Sequence, residues 1–271
     1  MIFSPILIVN SYLCSMLSKA VIKFVRALEL KKNRLQQHLF VAEGPKVVGD
    51  LLKVAAPKLI IATEDWISGQ IANTKLMDEV RIEFATDDEL RRTSFLQHPQ
   101  QVIAVFPFFD GDTAAILPQD QLCIALDGVQ DPGNLGTIIR VADWFGIEHL
   151  FCSEDTADVY NPKVVQATMG SIARVGVHYQ NLCHLLDGLP KDFPVYGTFL
   201  DGENIYEQEL LTHGLIIMGN EGNGLSHEVS RRLNHRLYIP NYPADRVTAE
   251  SLNVAIATAI VCSEFRRPHQ P

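Results

Sequence analysis

The chain has few residues of the kinds that build covalent or metal frameworks. Its 271 residues include five cysteines (Cys14, Cys123, Cys152, Cys183, Cys262) and two tryptophans. The cysteines are widely spaced, odd in number and form no CxxC pair, so no disulfide scaffold or zinc knuckle is legible, and a reducing cytoplasm is the expected setting. There is no HExxH, and none of the nine histidines sits at metal-ligand spacing with a cysteine, so no metal is expected. Neither GxGxxG nor GxxxxGK occurs, which removes the dinucleotide and P-loop fingerprints. Long apolar runs are missing too. Residues 2–9 (IFSPILIV) and 12–17 are apolar, but Pro5 and Asn10 interrupt them and nothing basic precedes Lys19, as a signal peptide would need. A bilayer span takes about 20 apolar residues. No membrane association is expected, and residues 1–15 read as a disordered leader with the fold starting near Met16. Positive charge is scarce: 23 Lys+Arg against 32 Asp+Glu give a net −9, too acidic for a protein that holds nucleic acid by bulk charge alone.

What is present is an ordinary globular composition, 47% apolar with mean hydropathy +0.07, which excludes a disordered or fibrous chain and allows one or two domains. The charge is unevenly spread. Residues 1–110 carry 13 Lys+Arg and 12 Asp+Glu; residues 111–271 carry 10 and 20. Two units with different electrostatics follow.

In the first unit, Ala20, Val21, Phe24, Val25 and Leu28 fall at helical spacing. The other face is basic: Lys19, Lys23, Arg26, Lys31, Lys32 and Arg34 against Glu29. Such a face is either simply solvated or a phosphate-contacting surface, since lysine and arginine release counterions from RNA. A short strand at 39–42, a helix from Pro45 to Val54, strands at 58–62, within 78–84 and at 101–108, and a helix at 87–93 complete a small α/β unit. Polar, turn-rich residues 109–118 read as a linker. Beyond it, strands at 122–126, 149–152, 176–178, 195–198, 214–218 and 236–239 alternate with helices at 136–145, 162–169, 228–233 and 252–265. That alternation predicts a mostly parallel α/β sheet.

Three segments of this second unit carry chemistry. In DGVQDPGNLGTIIR (127–140) a buried strand enters a turn at Asp131-Pro132-Gly133. Asn134 sits where a helix N-cap would, a role that would by itself explain it, and Arg140 six residues on could equally be a surface ion pair. In LIIMGNEGNGLS (215–226) an apolar strand ends in three glycines around Glu221, a loop that lets backbone N–H groups approach a ligand or that serves only as a strand-to-helix turn. In YIP (238–240) followed by ESLNVAIATAI (250–260), Ser251 reads as the N-cap of a helix apolar nearly all round, hence buried, with Asn253 in its first turn.

Together, in this order, DPGNLGTIIR, MGNEGNGLS and IP…SLNVAIATAI resemble the three motifs of the SpoU/TrmH family of RNA 2′-O-ribose methyltransferases, of the SPOUT class. The resemblance covers roughly residues 120–266. LSKAVIKFVRALELKKNRLQQHLFVAEG (17–44) resembles the amino-terminal RNA substrate-binding domain of many members, whose fold is similar to a small ribosomal protein. The implied organisation is a leader (1–15), an RNA substrate-binding domain (16–108), a linker (109–118) and a SPOUT methyltransferase domain (119–267) with a trefoil knot.

The resemblance further implies S-adenosylmethionine as cofactor, with Gly219, Ile239 and Leu252 lining its site and Thr198 beside them, and a homodimer. It implies Asn134, Arg140, Glu221, Ser251 and Asn253 as the catalytic set. A guanidinium stays protonated, so Arg140 is expected to grip the substrate phosphate, not to act as a literal base; Asn134 would orient Arg140 or the ribose, and Glu221, Ser251 and Asn253 would hold the geometry. Phosphate contacts are expected from the basic helix, Arg140, Lys163 and Arg174. The expected substrate is ribosomal RNA, with transfer RNA as the alternative. Two other readings are an RNA-binding protein of this fold without catalysis, and a dinucleotide-dependent enzyme, which the missing GxGxxG and the apolar last helix disfavour.

Overall fold

The computed structural model describes residues 17–70, 80–109, 119–243 and 246–267. The expectation for residues 1–15 and most of the expected linker lie outside the described residues. The chain divides into two compact units, residues 1–108 and 109–271.

The first unit holds α1 (Lys19–Ala27), α2 (Lys31–Gln37), β1 (Leu39–Glu43), α3 (Pro45–Leu51), β2 (Leu59–Ala62), α4 (Glu64–Gln70), β3 (Arg81–Phe84), α5 (Asp87–Thr93) and β4 (Val102–Pro107). Its sheet runs β1-β4-β2-β3, with β4 antiparallel to both neighbours and β2 parallel to β3. Ser18 caps α1 by accepting from the Val21 N–H, and Val21, Val25 and Leu28 are buried against Val41, Ile61, Leu90 and Ile103. Each such side chain contributes roughly 1.5–3 kcal/mol by leaving water.

The structure corrects the reading of the basic segment in three respects. It is two helices, separated by a turn at residues 28–30. Ala20 and Phe24, read as core, are exposed; the core positions one turn apart are Val21, Val25 and Leu28. Arg34 is 1% exposed, and its Nη1 donates to the carbonyls of Leu28 (2.8 Å) and Glu29 (2.6 Å). These carbonyls, past the end of α1, have no helical partner, so Arg34 serves the turn and leaves the exposed face. Arg26 is half committed: it donates to the Ser94 carbonyl (2.7 Å) and lies over the Phe95 ring. Lys19, Lys23, Lys31 and Lys32 are exposed.

The second unit holds β5 (Leu122–Asp127), α6 (Pro132–Trp144), β6 (His149–Cys152), α7 (Pro162–Ala167), β7 (Gly176–Tyr179), α8 (Leu182–Asp187), β8 (Val195–Asn204), β9 (Gly214–Gly219), α9 (His227–Ser230), β10 (His235–Tyr238) and α10 (Val254–Arg266). The sheet order is β10-β8-β9-β5-β6-β7 and every pairing is parallel. The central strands β5 and β9 are apolar in their interiors because helices cover both faces of a parallel sheet; Cys123, Ile124, Ala125, Leu215, Ile216 and Ile217 are fully buried. Successive strands step away from β5 in one direction and later return on its other side. The crevice at the carboxyl ends of such neighbours is where open α/β sheets bind ligands.

Two helix starts differ from the sequence reading. The cap of α6 is Asp131, whose side chain accepts from the Asn134 N–H at 2.8 Å; Pro132 takes the first helical position, where no N–H is needed. The cap of α10 is Asn253, which accepts from the Ala255 (2.9 Å) and Ile256 (3.3 Å) N–H groups, so the helix begins two residues later than expected and Ser251 does not cap it. Nor is α10 buried all round: Ile256 is 53% exposed. The short helices α4 and α8 had no clear sequence signal.

Candidate active site

Three loops leave the carboxyl ends of β5, β9 and β10. The loop after β9 is shaped by backbone proximity. A Cβ at Gly219 would lie 2.3 Å from the Gly224 carbonyl carbon and 2.5 Å from the Leu225 nitrogen, so only glycine fits where the chain doubles back. Asn220 then fixes the turn. Its Oδ1 accepts from the N–H groups of Gly222 (2.9 Å) and Asn223 (3.0 Å), while its Nδ2 donates to the Gly128 carbonyl (2.7 Å) in the loop after β5. Asp127, at the end of β5, accepts from the Ser226 N–H at 2.6 Å and makes a second tie between the same loops.

The candidate catalytic residues meet in a chain of hydrogen bonds. Asn134 Nδ2 donates to Glu221 Oε1 at 2.9 Å, and the Asp131 N–H reaches the same oxygen at 3.4 Å. Asn253 Nδ2 donates to Asn134 Oδ1 at 2.9 Å, while its own Oδ1 caps α10. Asn134 thus links all three loops. It holds Glu221 and Asn253, and among the described residues it makes no hydrogen bond to Arg140, the first of the two orienting roles expected for it. Arg140 is exposed and, among the described residues, makes no hydrogen bond or ion pair. Of the other expected phosphate contacts, Arg174 is clamped on Asp143 by paired hydrogen bonds of 2.7–3.0 Å, and Lys163 is exposed.

Beside this network lies a cavity of about 470 Å³, within the usual range for small-ligand sites. Thr198, Gly219, Ile239 and Leu252 all line it, as do Glu221 and Ser251. Asn134, Arg140 and Asn253 do not, so the structure gathers the first group round one cavity and the second behind or outside it. Met218, Ile239, Leu252 and Val254 give the lining an apolar part, and the glycine loop from Gly219 to Gly224 contributes another. Among the described residues, Glu221 and Glu250 are the charged ones in the lining, which holds no lysine or arginine.

Sequence reasoning missed Asp131, Asn220, Asp127 and Glu250. Asp131 was legible, since an acceptor followed by proline is a helix-start signature. The other three depend on which loop faces which, which no local pattern states.

Comparison with known proteins fits this layout. Residues 121–263 match the model of the SpoU rRNA Methylase family, and residues 19–104 match that of an MRM3-like substrate binding domain. The chain is 30% identical over 254 residues to the 23S rRNA (guanosine(2553)-2′-O)-methyltransferase RlmP of Bacillus subtilis, covering 90% of this chain and 95% of that one. Among solved structures, a TrmH-family protein from Porphyromonas gingivalis is 40% identical with a TM-score of 0.82, covering 93% of this chain and 99% of its own. An AdoMet-bound rRNA methyltransferase from Sinorhizobium meliloti is 30% identical, also with TM-score 0.82, over 94% and 97%.

Proposed function

The chain belongs to the SpoU rRNA methylase family, and from that premise we propose that it methylates ribosomal RNA as a homodimer, with its carboxy-terminal segment threaded as a trefoil knot. It is an S-adenosylmethionine-dependent RNA 2′-O-ribose methyltransferase. Ribosomal RNA as substrate is supported by the relatives' names and by the amino-terminal domain match. The homodimer is supported by an apolar side chain left exposed near the site and outside the cavity lining, Ile256 at 53%. The knot is supported by membership of the family alone.

The observation that carries the reading is the Glu221–Asn134–Asn253 tie standing beside a backbone-lined cavity. The cavity fits the cofactor: it is large enough, its glycine loop offers peptide groups without side chains in the way, its apolar wall suits a base, and its charged lining is acidic, as a sulfonium requires. Thr198, Gly219, Ile239 and Leu252 would hold it. When bound it supplies an electrophilic methyl group. The chain's own residues supply position. Arg140 grips a phosphate of the target strand and brings the 2′-hydroxyl to the cavity mouth, with that phosphate as the proton acceptor. Asn134 is a positioning residue, since both ends of its amide are engaged in holding loops together. Lys19, Lys23, Lys31 and Lys32, with the exposed Phe24 between them, provide phosphate contacts and a stacking face for RNA outside the target nucleotide.

The test of substrate class is incubation with methyl-labelled S-adenosylmethionine and separate pools of unmodified ribosomal and transfer RNA. Label in ribosomal RNA is expected; label confined to transfer RNA overturns that assignment.

A further inference from the structure

The loop after β5 does not line the cavity, yet the glycine loop that does is hung on it. Asn220 Nδ2 donates to the Gly128 carbonyl at 2.7 Å, and Asn220 Oδ1 accepts from the Gly222 and Asn223 N–H groups. The place of Gly128 is therefore passed on to the turn that carries Glu221. What fixes Gly128 comes from the segment after the neighbouring strand, β6. The Gly128 N–H donates to Ser153 Oγ at 2.8 Å. Gly128 has φ +72°, where a side chain is strained, and a Cβ there would stand 3.0 Å from Asp155 Oδ2. Backbone bonds on either side frame this contact: the Ser153 N–H donates to the Leu126 carbonyl (3.0 Å) and the Ala157 N–H to the Val129 carbonyl (2.9 Å).

A serine hydroxyl has one proton and two acceptor positions. Ser153 commits its proton to Asp155 Oδ1 at 2.5 Å, which leaves the acceptor positions for the Gly128 N–H and for the Thr156 hydroxyl, 3.0 Å away. Asp155, which offers only acceptor oxygens, thus settles which way the hydroxyl turns. With the proton held there, Ser153 faces Gly128 as an acceptor.

We propose that Ser153, turned by Asp155, is a positioning residue for cofactor binding: the relay Asp155–Ser153–Gly128–Asn220 sets the glycine loop against the cavity. The inference rests on the S-adenosylmethionine reading of that cavity. Neither Ser153 nor Asp155 lines it, so both act through Gly128 and Asn220. A parallel tie limits the effect. Asp127 accepts from the Ser226 N–H at 2.6 Å and still joins the two loops when the Ser153 hydroxyl is gone. Removing that hydroxyl orphans a part-buried N–H and loosens the glycine loop without releasing it, which corresponds to about a five- to tenfold loss of affinity.

The experiment measures S-adenosylmethionine dissociation constants by calorimetry, and unfolding midpoints in denaturant, on the full chain. Wild type is compared with Ser153→Ala, Asp155→Ala, Asn220→Ala and the double variant Ser153→Ala with Asn220→Ala. Ser153→Ala is expected to bind about five- to tenfold more weakly. Asp155→Ala keeps the hydroxyl but frees its proton, and should lose about two- to threefold; it serves in the same cycle should Ser153→Ala fail to fold. The double variant separates a relay from a merely structural contact. Because Asn220 transmits the effect, adding Ser153→Ala to Asn220→Ala should weaken binding little further, whereas independent sites add. Additive losses, or lowered midpoints with unchanged affinity, overturn the proposal and leave the cofactor assignment intact. Failure of wild type to bind S-adenosylmethionine would instead overturn the cofactor reading and this inference with it.

Discussion

In the first unit, Lys19, Lys23, Lys31 and Lys32 stand exposed along two short helices, whereas in the second unit the cavity is lined, among the described residues, by Glu221 and Glu250 without a lysine or arginine. The first arrangement attracts a polyanion; the second suits a small cation. A net charge of −9 therefore says little about RNA, because the charges are sorted by task. Arg140 joins the two chemistries: it is one of the cations of the acidic unit, exposed on the helix whose first turn is tied into the site.

The sorting can be broken at its strongest point first. Arg140→Ala should lower the single-turnover methylation rate by about 100-fold or more, as loss of a group that positions and stabilises reacting charge does. Its S-adenosylmethionine affinity, measured by calorimetry, should stay within about twofold of wild type, since Arg140 does not line the cavity. A large loss of cofactor binding would contradict the division of labour. Gly219→Ala tests the other half. The added Cβ meets backbone at 2.3 Å, which cannot swing aside, so the loop must shift. Overpacking of this kind costs about 1–3 kcal/mol, or roughly ten- to a hundredfold in cofactor affinity if it falls on the binding-competent loop.

Two substitutions among the basic residues sharpen the contrast further. Lys31→Glu combined with Lys32→Glu should weaken RNA binding by about tenfold and flatten its dependence on salt, with cofactor affinity unchanged. Arg34→Ala, three residues away, should do something different. It removes hydrogen bonds to the Leu28 and Glu29 carbonyls and should destabilise the first unit by about 1.5–3 kcal/mol in denaturant unfolding, without altering the salt slope of RNA binding. An unchanged midpoint with a reduced slope would return Arg34 to the RNA face.

These contrasts also mark what sequence could and could not give. The alternation of strands and helices, the parallel second sheet and the two-unit division were legible because apolar periodicity and charge balance are local sums. The site motifs were legible as motifs. Which residue caps α10 was not: Ser251 and Asn253 are both good caps, and the choice fell to Asn253 because its amide also reaches Asn134, 119 positions away in sequence. Arg34 read as one more surface cation because the turn that breaks the basic segment into α1 and α2 carries neither glycine nor proline. The tie from Asn220 to Gly128 exists only once β9 is placed beside β5. The short helices α4 and α8, of seven and six residues, offered too few turns for a period to show.

The most direct test of the account is the chemical position of the transferred methyl group. RNA labelled by the wild-type protein and by Arg140→Ala would be digested to nucleosides and separated. The account predicts label in a single 2′-O-methyl nucleoside with wild type and nearly none with the variant. Label on a base, or a 2′-O-methyl product that persists at the wild-type rate without Arg140, would contradict it.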